Sequence, residues 1–335
     1  MLPKKMLTLQ VLEVLRKYTD ETHKLTQAQI IEILAREHET KCDRRSVSRA
    51  LLDLTDAGYK IEFDEISRTD RSGEDSPIRT NFYLSREITD GELRFLIDGV
   101  LSSRYIPKRQ REDLVKKLAK LSSVHFERRN RRIVQPPTPA APTPLLYSIA
   151  VLDEAIAMKR QVSLQYCKYG IDMKLRSRSK TSEIVNPYEI VCSNGRYYVL
   201  ANYDRFDNLL HLRLDKIREI KMLETPVKPL NMVKKSGGRL DNYLTEHIYM
   251  MGGDSADVKF RISPDQMDVV VDWFGTHAQV APQAYGDLIV SVSVNERAMI
   301  YWALQFGEVV EVLSPQSLRE KIAAAARDIA EVYER

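Results

Sequence analysis

Cysteine is scarce in this chain of 335 residues, and long apolar runs are absent. Its three cysteines, Cys42, Cys167 and Cys192, lie far apart and form neither a CxxC motif nor a Cys/His spacing that binds zinc. No apolar run reaches the roughly 18 residues that a membrane-spanning helix needs, and the N-terminus MLPKKMLTLQ lacks the apolar core of a signal peptide. The sequence therefore predicts a cytoplasmic protein with no membrane association, no bound metal and no cofactor.

The sequence also lacks the motifs of the common nucleotide-acting enzymes. Glycine pairs occur in MMGGDSAD and SGGRLDN, but neither continues into the GK[ST] ending of a phosphate-binding loop. No Ser/His/Asp arrangement and no pair of carboxylates stands out as catalytic machinery. We therefore predict no catalytic residues and interpret the protein as a non-enzyme.

Charge is unevenly distributed along the chain, although its formal net value is only +4. Residues 101–140 contain eleven Lys or Arg and three Asp or Glu, whereas residues 241–335 contain seven basic and fifteen acidic residues. The middle of the chain thus suits polyanionic partners, and the C-terminal part does not. Solvated helix faces would give the same pattern, so charge alone does not establish a nucleic-acid partner.

Residues 1–85 carry the pattern of a winged helix-turn-helix domain. Apolar residues recur at helical spacing in MLTLQVLEVLRKYT and in TQAQIIEILAREH, where Thr26 and Gln29 form a capping-box pattern. A third helix begins after Asp43, a favourable N-cap residue, and ends at Gly58. Two short β-type runs, KIEF and NFYL, follow and are separated by a long polar tip. Three helices followed by a hairpin are the element order of this DNA-binding class.

The third helix carries the residues that we expect to bind duplex DNA. With its apolar stripe facing the domain core, arginine and serine side chains point outward along its first two turns. The N-terminal end of a recognition helix enters the major groove, where arginine can hold guanine through two hydrogen bonds. The predicted DNA contacts are Lys41, Arg44, Arg45, Ser46, Ser48 and Arg49, with Arg68, Arg71 and Arg79 in the wing. A capped, solvated helix start is the alternative interpretation.

Residues 86–135 form a helical connector in this interpretation, and residues 136–144 form a linker. The stretches ITDGELRFLIDGVLSSRY and PKRQREDLVKKLAKLSS both show apolar residues on one helical face. The linker PPTPAAPTP has five prolines in nine residues, a composition that gives a stiff, extended chain.

Two further domains are predicted beyond the linker, which makes the chain an α+β multidomain protein. In residues 145–230 one helix precedes four or five β-type runs, and Asn194-Gly195 marks a tight hairpin. Together these features predict a small antiparallel β-barrel of the Sm or SH3 type. Residues 240–335 follow the order strand, helix, two strands, helix, strand, helix, which fits a ferredoxin-like domain.

The central β segment carries tyrosines and charged residues at alternating positions. In RYYVLANYD, Tyr198 and Leu200 are expected to share one face of their strand. In HLRLDKI, His211, Arg213 and Asp215 are expected to share one face of the next strand. Aromatic rings that stack on bases, beside cations that bind phosphates, suit a nucleotide or a short single strand. In the alternative interpretation the tyrosines merely edge the barrel, and the arginines pair with Asp204, Asp207 and Asp215.

The stretch VNPYEIVCSNGRYYVLANYDRFDNLLHLRLDKIREI resembles the WYL domain, which is named after a Trp-Tyr-Leu sequence. Residues 197–200, YYVL, occupy the place of that motif, with Tyr in place of Trp. Asn186-Pro187 and the strand RLDKI match flanking features of the family, and Lys216 stands where a second arginine is frequent. Lysine keeps the charge but lacks the planar fork of arginine. The resemblance spans nearly the whole chain, because a winged helix-turn-helix, a WYL domain and a C-terminal extension are the usual layout of WYL transcriptional regulators.

This resemblance implies a bacterial, homodimeric transcriptional regulator that binds double-stranded operator DNA. Its WYL domain would bind a single-stranded nucleic acid or a nucleotide as effector and thereby control DNA binding. The implied ligand contacts are Tyr166, Arg176, Arg178, Arg196, Tyr198, His211 and Arg213, of which Tyr198 and Arg213 are the principal ones. We expect a repressor, although the residues do not specify the direction of control.

Two other functions are left open by the sequence. A nucleotide-acting enzyme would be recognised by metal-dependent hydrolysis of nucleotides. A non-specific nucleic-acid-binding accessory subunit would bind DNA in a salt-sensitive manner without preferring any sequence.

Overall fold

The computed structural model describes residues 6–69, 75–103, 106–129, 145–233, 246–283 and 286–335. The protein mixes helices with curled sheets and divides into two compact units, residues 1–139 and 140–335. The predicted linker 136–144 lies outside the described residues, and the predicted domain boundaries stay predictions. Among the described helices, none combines the length and the apolarity that crossing a membrane requires. The same residues contain no group of three or more His, Cys, Asp or Glu side chains that could hold a metal ion.

The first unit begins with three helices followed by a two-stranded hairpin. Helix α1 spans Leu7–Tyr18, α2 spans Gln27–His38 and α3 spans Arg44–Asp56, and the antiparallel strands are β1, Ile61–Thr69, and β2, Asp75–Leu84. This is the element order that the sequence predicts. The strands are longer than the runs KIEF and NFYL, because polar residues of the expected tip continue the ladder.

Cross-strand pairs, rather than an apolar face, hold the polar half of this hairpin together. Glu65 lies opposite Arg79, with the Arg79 Nε 3.5 Å from the Glu65 Oε1, and the Arg79 guanidinium lies over the ring of Phe63. Opposite charges that face each other across a ladder stabilise a strand pair modestly. Apolar alternation is the sequence signal for strands, so it could not reveal this part of the hairpin.

Apolar side chains from the three helices and the hairpin form one core. Its buried members include Val11, Leu15, Ile30, Leu34, Val47, Leu51, Leu54 and Phe82. The predicted caps are present: Thr26 and Gln29 form a reciprocal capping box, and the Asp43 carboxylate accepts the Ser46 N–H at 2.7 Å. Gly58 follows α3 with a left-handed φ of +90°, which glycine adopts without strain. Helix α3 therefore has an apolar side fixed in the core and a capped, exposed N-terminus.

The connector contains three helices, α4 at Asp90–Ser102, α5 at Lys108–Ala119 and α6 at Val124–Arg129. The sequence predicts the first two but not α6, because a helix of six residues is too short for its apolar period to be visible. The connector has a small core of its own, formed by Leu93, Ile97, Leu101 and Phe126.

Arg111 of α5 is fully buried within the connector. Its Nη1 donates to the carbonyl of Leu101 at 3.1 Å and to that of Ser103 at 3.3 Å. The guanidinium thereby satisfies backbone acceptors that the end of α4 leaves without helical partners.

Asp20 joins the turn after α1 to the connector. Its carboxylate accepts hydrogen bonds from the Ser123 Oγ at 2.7 Å, the Thr22 N–H at 3.0 Å and the His23 N–H at 2.8 Å. The ring of His23 also stacks on that of His125, with the centroids 3.6 Å apart. Burial alone would raise the pKa of Asp20, but the hydrogen bonds from Ser123, His23 and Thr22 outweigh it and hold the pKa well below its usual value.

The second unit begins with helix α7, Leu145–Ala157, followed by a curled antiparallel sheet. Its strands are β3 Arg160–Tyr169, β4 Leu175–Ser177, β5 Glu183–Ser193, β6 Arg196–Tyr203, β7 Leu210–Arg213 and β8 Ile217–Pro226. They pair in the order β4-β3-β5-β6-β7, and β8 pairs with β3, so the last strand returns to the first. The sequence predicts four or five strands here, and β4, with only three residues, is the one most easily missed.

Strand β7 ends at Arg213, and a 3₁₀ turn over Leu214–Lys216 carries the chain into β8. The expectation that His211, Arg213 and Asp215 lie on one continuous strand is therefore wrong at Asp215. The break is not visible in the sequence because HLRLDKI alternates regularly through it. The turn buries Asp215, which brings its carboxylate back towards Arg213.

A buried polar network holds the loop between β6 and β7. Asn202 is fully buried and donates from Nδ2 to the carbonyls of Phe206 and Asn208 at 2.7 and 3.0 Å. Asn186, also fully buried, donates to the Asn202 Oδ1 at 3.1 Å and accepts the Lys228 N–H at 2.8 Å. Buried amides with satisfied partners fix backbone positions, so the loop is shaped from inside.

The C-terminal part of the second unit is a four-stranded antiparallel sheet with three helices. In chain order its elements are β9 Ser255–Ile262, α8 Met267–Phe274, β10 Gln279–Pro282, β11 Leu288–Asn295, α9 Glu296–Gln305, β12 Val310–Ser314 and α10 Gln316–Tyr333. The strands pair in the order β10-β11-β9-β12, the arrangement of a split βαβ unit, and the chain follows the element order that the sequence predicts. Trp302 fills the core, and the rings of Phe260 and Phe274 lie 5.1 and 4.9 Å from it.

We expect Asp20→Ala to lower the free energy of unfolding of the first unit by about 1–3 kcal/mol, because it leaves several donors without an acceptor. Ser123→Ala should cost about 1 kcal/mol. Because the folded-state pKa of Asp20 is depressed, its contribution is present at neutral pH and is lost as the pH falls below the usual Asp range. Urea unfolding of the full chain measures both effects. Glu13→Ala, which removes an exposed carboxylate of α1, is the control, and equal stability of all three variants would contradict the role of Asp20.

Candidate functional site

Helix α3 presents its arginines to solvent. Arg44, Arg45 and Arg49 are exposed, as is Lys41 in the preceding turn, whereas Val47 is buried in the core. This is the orientation that the sequence predicts. Exposed guanidinium groups add to the positive end of the helix dipole, so this end of α3 can bind a polyanion.

Gln27, the first residue of α2, links two of the predicted DNA contacts. Its Nε2 donates to the Ser48 Oγ at 2.8 Å, and its Oε1 accepts from the Arg44 Nε at 2.8 Å. Ser48 and Arg44 are thus held in fixed positions relative to α2. The sequence analysis missed Gln27, because no pattern within one helix shows which residue of a neighbouring helix it touches.

The predicted wing contacts are placed unequally. Arg79 is exposed on β2, where it pairs with Glu65. Arg68 lies on β1 opposite Ser76, but its side chain is outside what the structure describes, and Arg71 lies outside the described residues altogether. Of the three, Arg79 is the one that can be placed on the hairpin surface.

The ladder between β6 and β7 brings the principal predicted ligand residues together. Tyr198 lies directly opposite Arg213, and Leu200 lies opposite His211. Side chains two positions apart along a strand share a face, so these four side chains lie on one face of the sheet. The sequence predicts a shared face for Tyr198 and Leu200 on one strand and for His211 and Arg213 on the next. The ladder joins these two pairs into one surface.

Arg213 is held by a buried carboxylate. Its Nε donates to the Asp215 Oδ1 at 3.0 Å and its Nη2 to the Asp215 Oδ2 at 2.7 Å, while Asp215 is only 4% exposed. Such a two-pronged pair fixes the plane of the guanidinium. The backbone N–H of Arg213 also donates to the Tyr166 Oη at 3.3 Å. The aspartate partner proposed by the alternative interpretation is therefore present for Arg213.

Next to this ion pair, Lys216 interacts electrostatically with three other cations, one of which is Arg213 itself. Burial lowers the pKa of Lys216, and the charges of Arg213, Arg196 and Lys168 lower it further, against the opposing effect of Asp215. These four residues, Lys168, Arg196, Arg213 and Lys216, are called the cation cluster below. Like charges held close together are stabilised by an anion among them. The sequence analysis did not include Lys168 and Lys216 among the ligand contacts, because only the fold brings β3 next to the turn before β8.

The other predicted ligand residues lie on β3 and β4. Tyr166 is largely buried, and burial raises the pKa of its phenol. Arg178 is exposed and donates its backbone N–H to the Tyr166 carbonyl at 2.8 Å, which places the end of β4 beside β3. Arg176 is paired with Asp172 at 2.8 Å within the turn between β3 and β4. Tyr166 thus touches Arg213 directly, whereas Arg176 is engaged by its own turn.

Two protein-family models match the second unit. The WYL domain matches residues 148–222, which include the cation cluster and the β6–β7 ladder, and the WCX domain matches residues 254–330. The chain contains a WYL domain and a WCX domain. The WCX match covers the four-stranded sheet and nearly all of its helices.

Similar solved structures are known, but the likeness is distant. The chain has 15% identity to proteasome accessory factor B/C (PafBC) of Arthrobacter aurescens, with 96% of this chain and 47% of that one covered and a TM-score of 0.27. It thus spans about half the length of that protein. A CRISPR Cas-related protein has 12% identity, with 100% of this chain and 87% of that one covered and a TM-score of 0.37. No curated protein matches the chain significantly. At these TM-scores neither structure bears on function.

A short segment before the WCX domain covers the face of the WYL sheet that carries Tyr198 and Leu200. Met250 packs with Val191, Tyr198 and Leu200, and Tyr198 is only 7% exposed. Residues 247–250 are called the covering segment below. The sequence predicted an accessible Tyr198 ring and missed its cover, because Met250 lies far along the chain and inside what reads as a flexible glycine-rich join.

The covering segment also holds His211 of the WYL domain. The rings of His211 and His247 meet edge to face with their centroids 5.3 Å apart. Burial and, to a lesser degree, the neighbouring His247 lower the pKa of His211 to about 4, against the opposing effect of a hydrogen bond to the backbone of Met250. His211 is therefore a neutral, partly buried ring at physiological pH and adds no charge to the cation cluster.

We expect acid to destabilise the second unit through His211. The ring has a pKa of about 4 in the folded protein and 6.5 in the unfolded chain, so protonation favours unfolding as the pH falls from 6.5 towards 4. The loss can reach about 3 kcal/mol. His211→Gln should flatten this part of the pH dependence in urea unfolding of the full chain. His38→Gln, at a partly exposed position of α2, should not, and equal acid sensitivity of the wild type and His211→Gln would contradict a neutral, partly buried ring at His211.

Proposed function

We propose that the protein is a sequence-specific DNA-binding transcriptional regulator controlled by a nucleic-acid or nucleotide ligand at its WYL domain. One observation carries the proposal. The chain combines a capped helix with three exposed arginines and a WYL domain with a cation cluster, so it has two separate surfaces for polyanions. Duplex DNA and a smaller effector are the polyanions that these surfaces fit.

Helix α3 is the recognition helix and the β1–β2 hairpin is the wing in this proposal. Arg45 and Arg49 are four residues apart, so they lie on the same side of the helix and can enter the same groove. Arginine there can read guanine through its two acceptors. Arg44 and Ser48, held by Gln27, would contact bases or phosphates in a fixed geometry, with Ser46, Lys41 and the wing arginines on the backbone.

The cation cluster is the phosphate site of the effector in this proposal. Asp215 fixes the plane of the Arg213 guanidinium, whose charge would attract a phosphate. Lys168, Arg196 and Lys216 add charge around it. Two aromatic rings are candidates for stacking on a base. Tyr198 lies opposite Arg213 across the ladder, and the Tyr166 hydroxyl accepts the backbone N–H of Arg213.

The cellular setting is also part of the proposal. Two copies of the chain would place two recognition helices on a palindromic operator, as homodimeric helix-turn-helix proteins do. The effector controls DNA binding if its affinity differs between the DNA-competent and incompetent states. We propose a repressor in a bacterial cytoplasm, with residues 1–85 binding DNA, 86–135 connecting, 145–230 sensing the effector and 240–335 as the C-terminal extension.

We propose no catalytic role for the chain. Release of phosphate from a nucleotide incubated with the purified protein and Mg²⁺ would contradict this and indicate an enzyme. Selection from random DNA duplexes separates the remaining alternative: an enriched palindrome supports a regulator, whereas retention without enrichment indicates an accessory subunit that binds any sequence.

We expect Arg45→Ala and Arg49→Ala each to lower affinity for the selected duplex by about 1–3 kcal/mol and to relax the preference at one base pair. Fluorescence anisotropy with the selected site and with single-base variants measures both effects. Arg94→Ala is the matched control, because it removes the same charge from α4, where Arg94 pairs with Asp98. Full and specific binding by both α3 variants would show that α3 is not the recognition helix.

We expect the WYL domain to bind a fluorescein-labelled oligothymidylate of about six nucleotides, called the dT probe below. Arg196→Ala and Lys216→Gln should each weaken this binding and lower the slope of log affinity against log salt by about 0.7. Arg213→Ala should be combined with Asp215→Asn, because the single change leaves a buried carboxylate without its partner. The control Lys221→Gln removes an exposed charge of β8 in the same sheet.

Nucleic acid that co-purifies with the full chain gives an independent test of the effector class. Base absorbance and sequencing of this material identify it, and its loss in the Arg196 and Lys216 variants but not in Lys221→Gln would assign it to the cation cluster. Equal amounts in all variants would remove the proposed sensing role of the WYL domain.

A further inference from the structure

The first and last residues of the covering segment contact the WYL domain, and its two middle residues pack in the WCX core. His247 meets the ring of His211, and Met250 packs on the β5–β6 part of the WYL sheet. Ile248, between them in the chain, is buried in the core of the WCX domain, and Tyr249 packs against the same core. Any movement of Met250 away from the sheet therefore pulls on residues that belong to the other domain.

Met250 occupies the surface of Tyr198 with an unusual backbone. It is 6% exposed, and its φ of +51° lies in the left-handed region that residues other than glycine rarely adopt. Its N–H donates to the His247 carbonyl at 2.7 Å, and the ring of His211 hydrogen-bonds its backbone. A non-glycine residue persists in this conformation only where surrounding contacts hold it, and such positions are common at switch regions.

The place that Met250 fills is shaped for a ring beside a phosphate. Met250 packs with Tyr198, Val191 and Leu200, and Arg213 lies opposite Tyr198 across the ladder. A thioether packs well on an aromatic face, and so does a base, which additionally brings its phosphate towards the cation cluster. Met250 can thus stand in for the base but not for the phosphate.

We propose that Met250 is an internal occupant of the base subsite on Tyr198, and that an effector displaces it and thereby releases the covering segment from the WYL sheet. This inference rests on the proposed function, since it needs an effector with a base and a phosphate. Displacement of Met250 moves Ile248 and Tyr249, so the WCX domain receives the signal directly. The apparent affinity for the effector is then the intrinsic affinity multiplied by the fraction of molecules in which Met250 has left the subsite.

The test compares substitutions of two neighbouring methionines in the full chain. Met250→Ala empties the subsite and should bind the dT probe about tenfold more tightly than the wild type. Met250→Phe places a larger ring on Tyr198 and should bind the probe more weakly. Met251→Ala is the matched control, because Met251 packs against the WCX core instead, and it should bind as the wild type does. A loss of folding would lower the affinity of both Met250 variants, so it cannot produce the expected increase for Met250→Ala together with the decrease for Met250→Phe.

Hydrogen exchange gives a second readout on the wild type. Saturation with the dT probe should speed amide exchange in the peptide that contains residues 247–250, because the covering segment leaves the sheet. Slower or unchanged exchange there, with the probe bound, would overturn the displacement. If the wild type binds the probe and Met250→Ala binds no more tightly, only the internal occupant is wrong. If no variant binds it, the base subsite and the proposed sensing function fall together.

Discussion

The ion pair between Arg213 and Asp215 is the contact on which the arrangement of the predicted ligand residues in the WYL domain depends. It forms only because β7 stops at Arg213 and a 3₁₀ turn returns the Asp215 carboxylate to the guanidinium. The pair fixes the orientation of Arg213 opposite Tyr198, and it offsets part of the repulsion that Lys216 experiences from its neighbours. The buried carboxylate thus lowers the electrostatic cost of a charged Lys216 near the other cations.

The two proposed polyanion surfaces are built on different physical terms. On α3 the arginines are exposed at a capped helix end, and one of them is steadied by Gln27. Exposed cations suit a duplex, which is rigid and can approach from outside. In the WYL domain the charges sit beside a covered aromatic ring, so the proposed ligand would replace protein contacts before it gains its own. The first surface suits rapid searching, and the second suits a response to concentration.

The sequence revealed those features that depend on local patterns. The caps at Thr26 and Asp43 and the order of helices and strands follow from residue spacing and are present in the structure. Strand β6, in contrast, is buried on both faces from Tyr198 to Tyr203. Features that depend on contacts between distant segments were missed. Gln27 acts on α3 from another helix, and Met250 covers Tyr198 from beyond the end of the WYL sheet. The strand break at Asp215 was hidden for another reason, since regular alternation continued through a turn.

The loop between β6 and β7 takes part of its shape from Asn202, whose amide donates only to main-chain carbonyls of the loop. Asn202 binds the carbonyls of Phe206 and Asn208, and the side chains of those residues play no part in that contact. Arg205 and Phe206 are exposed and stack on each other. Mutation of Phe206 or Asn208 can therefore change the outward chemistry of this loop and leave the carbonyl contacts with Asn202 in place, which gives descendants of this sequence a place to acquire new ligand preferences without refolding the sheet.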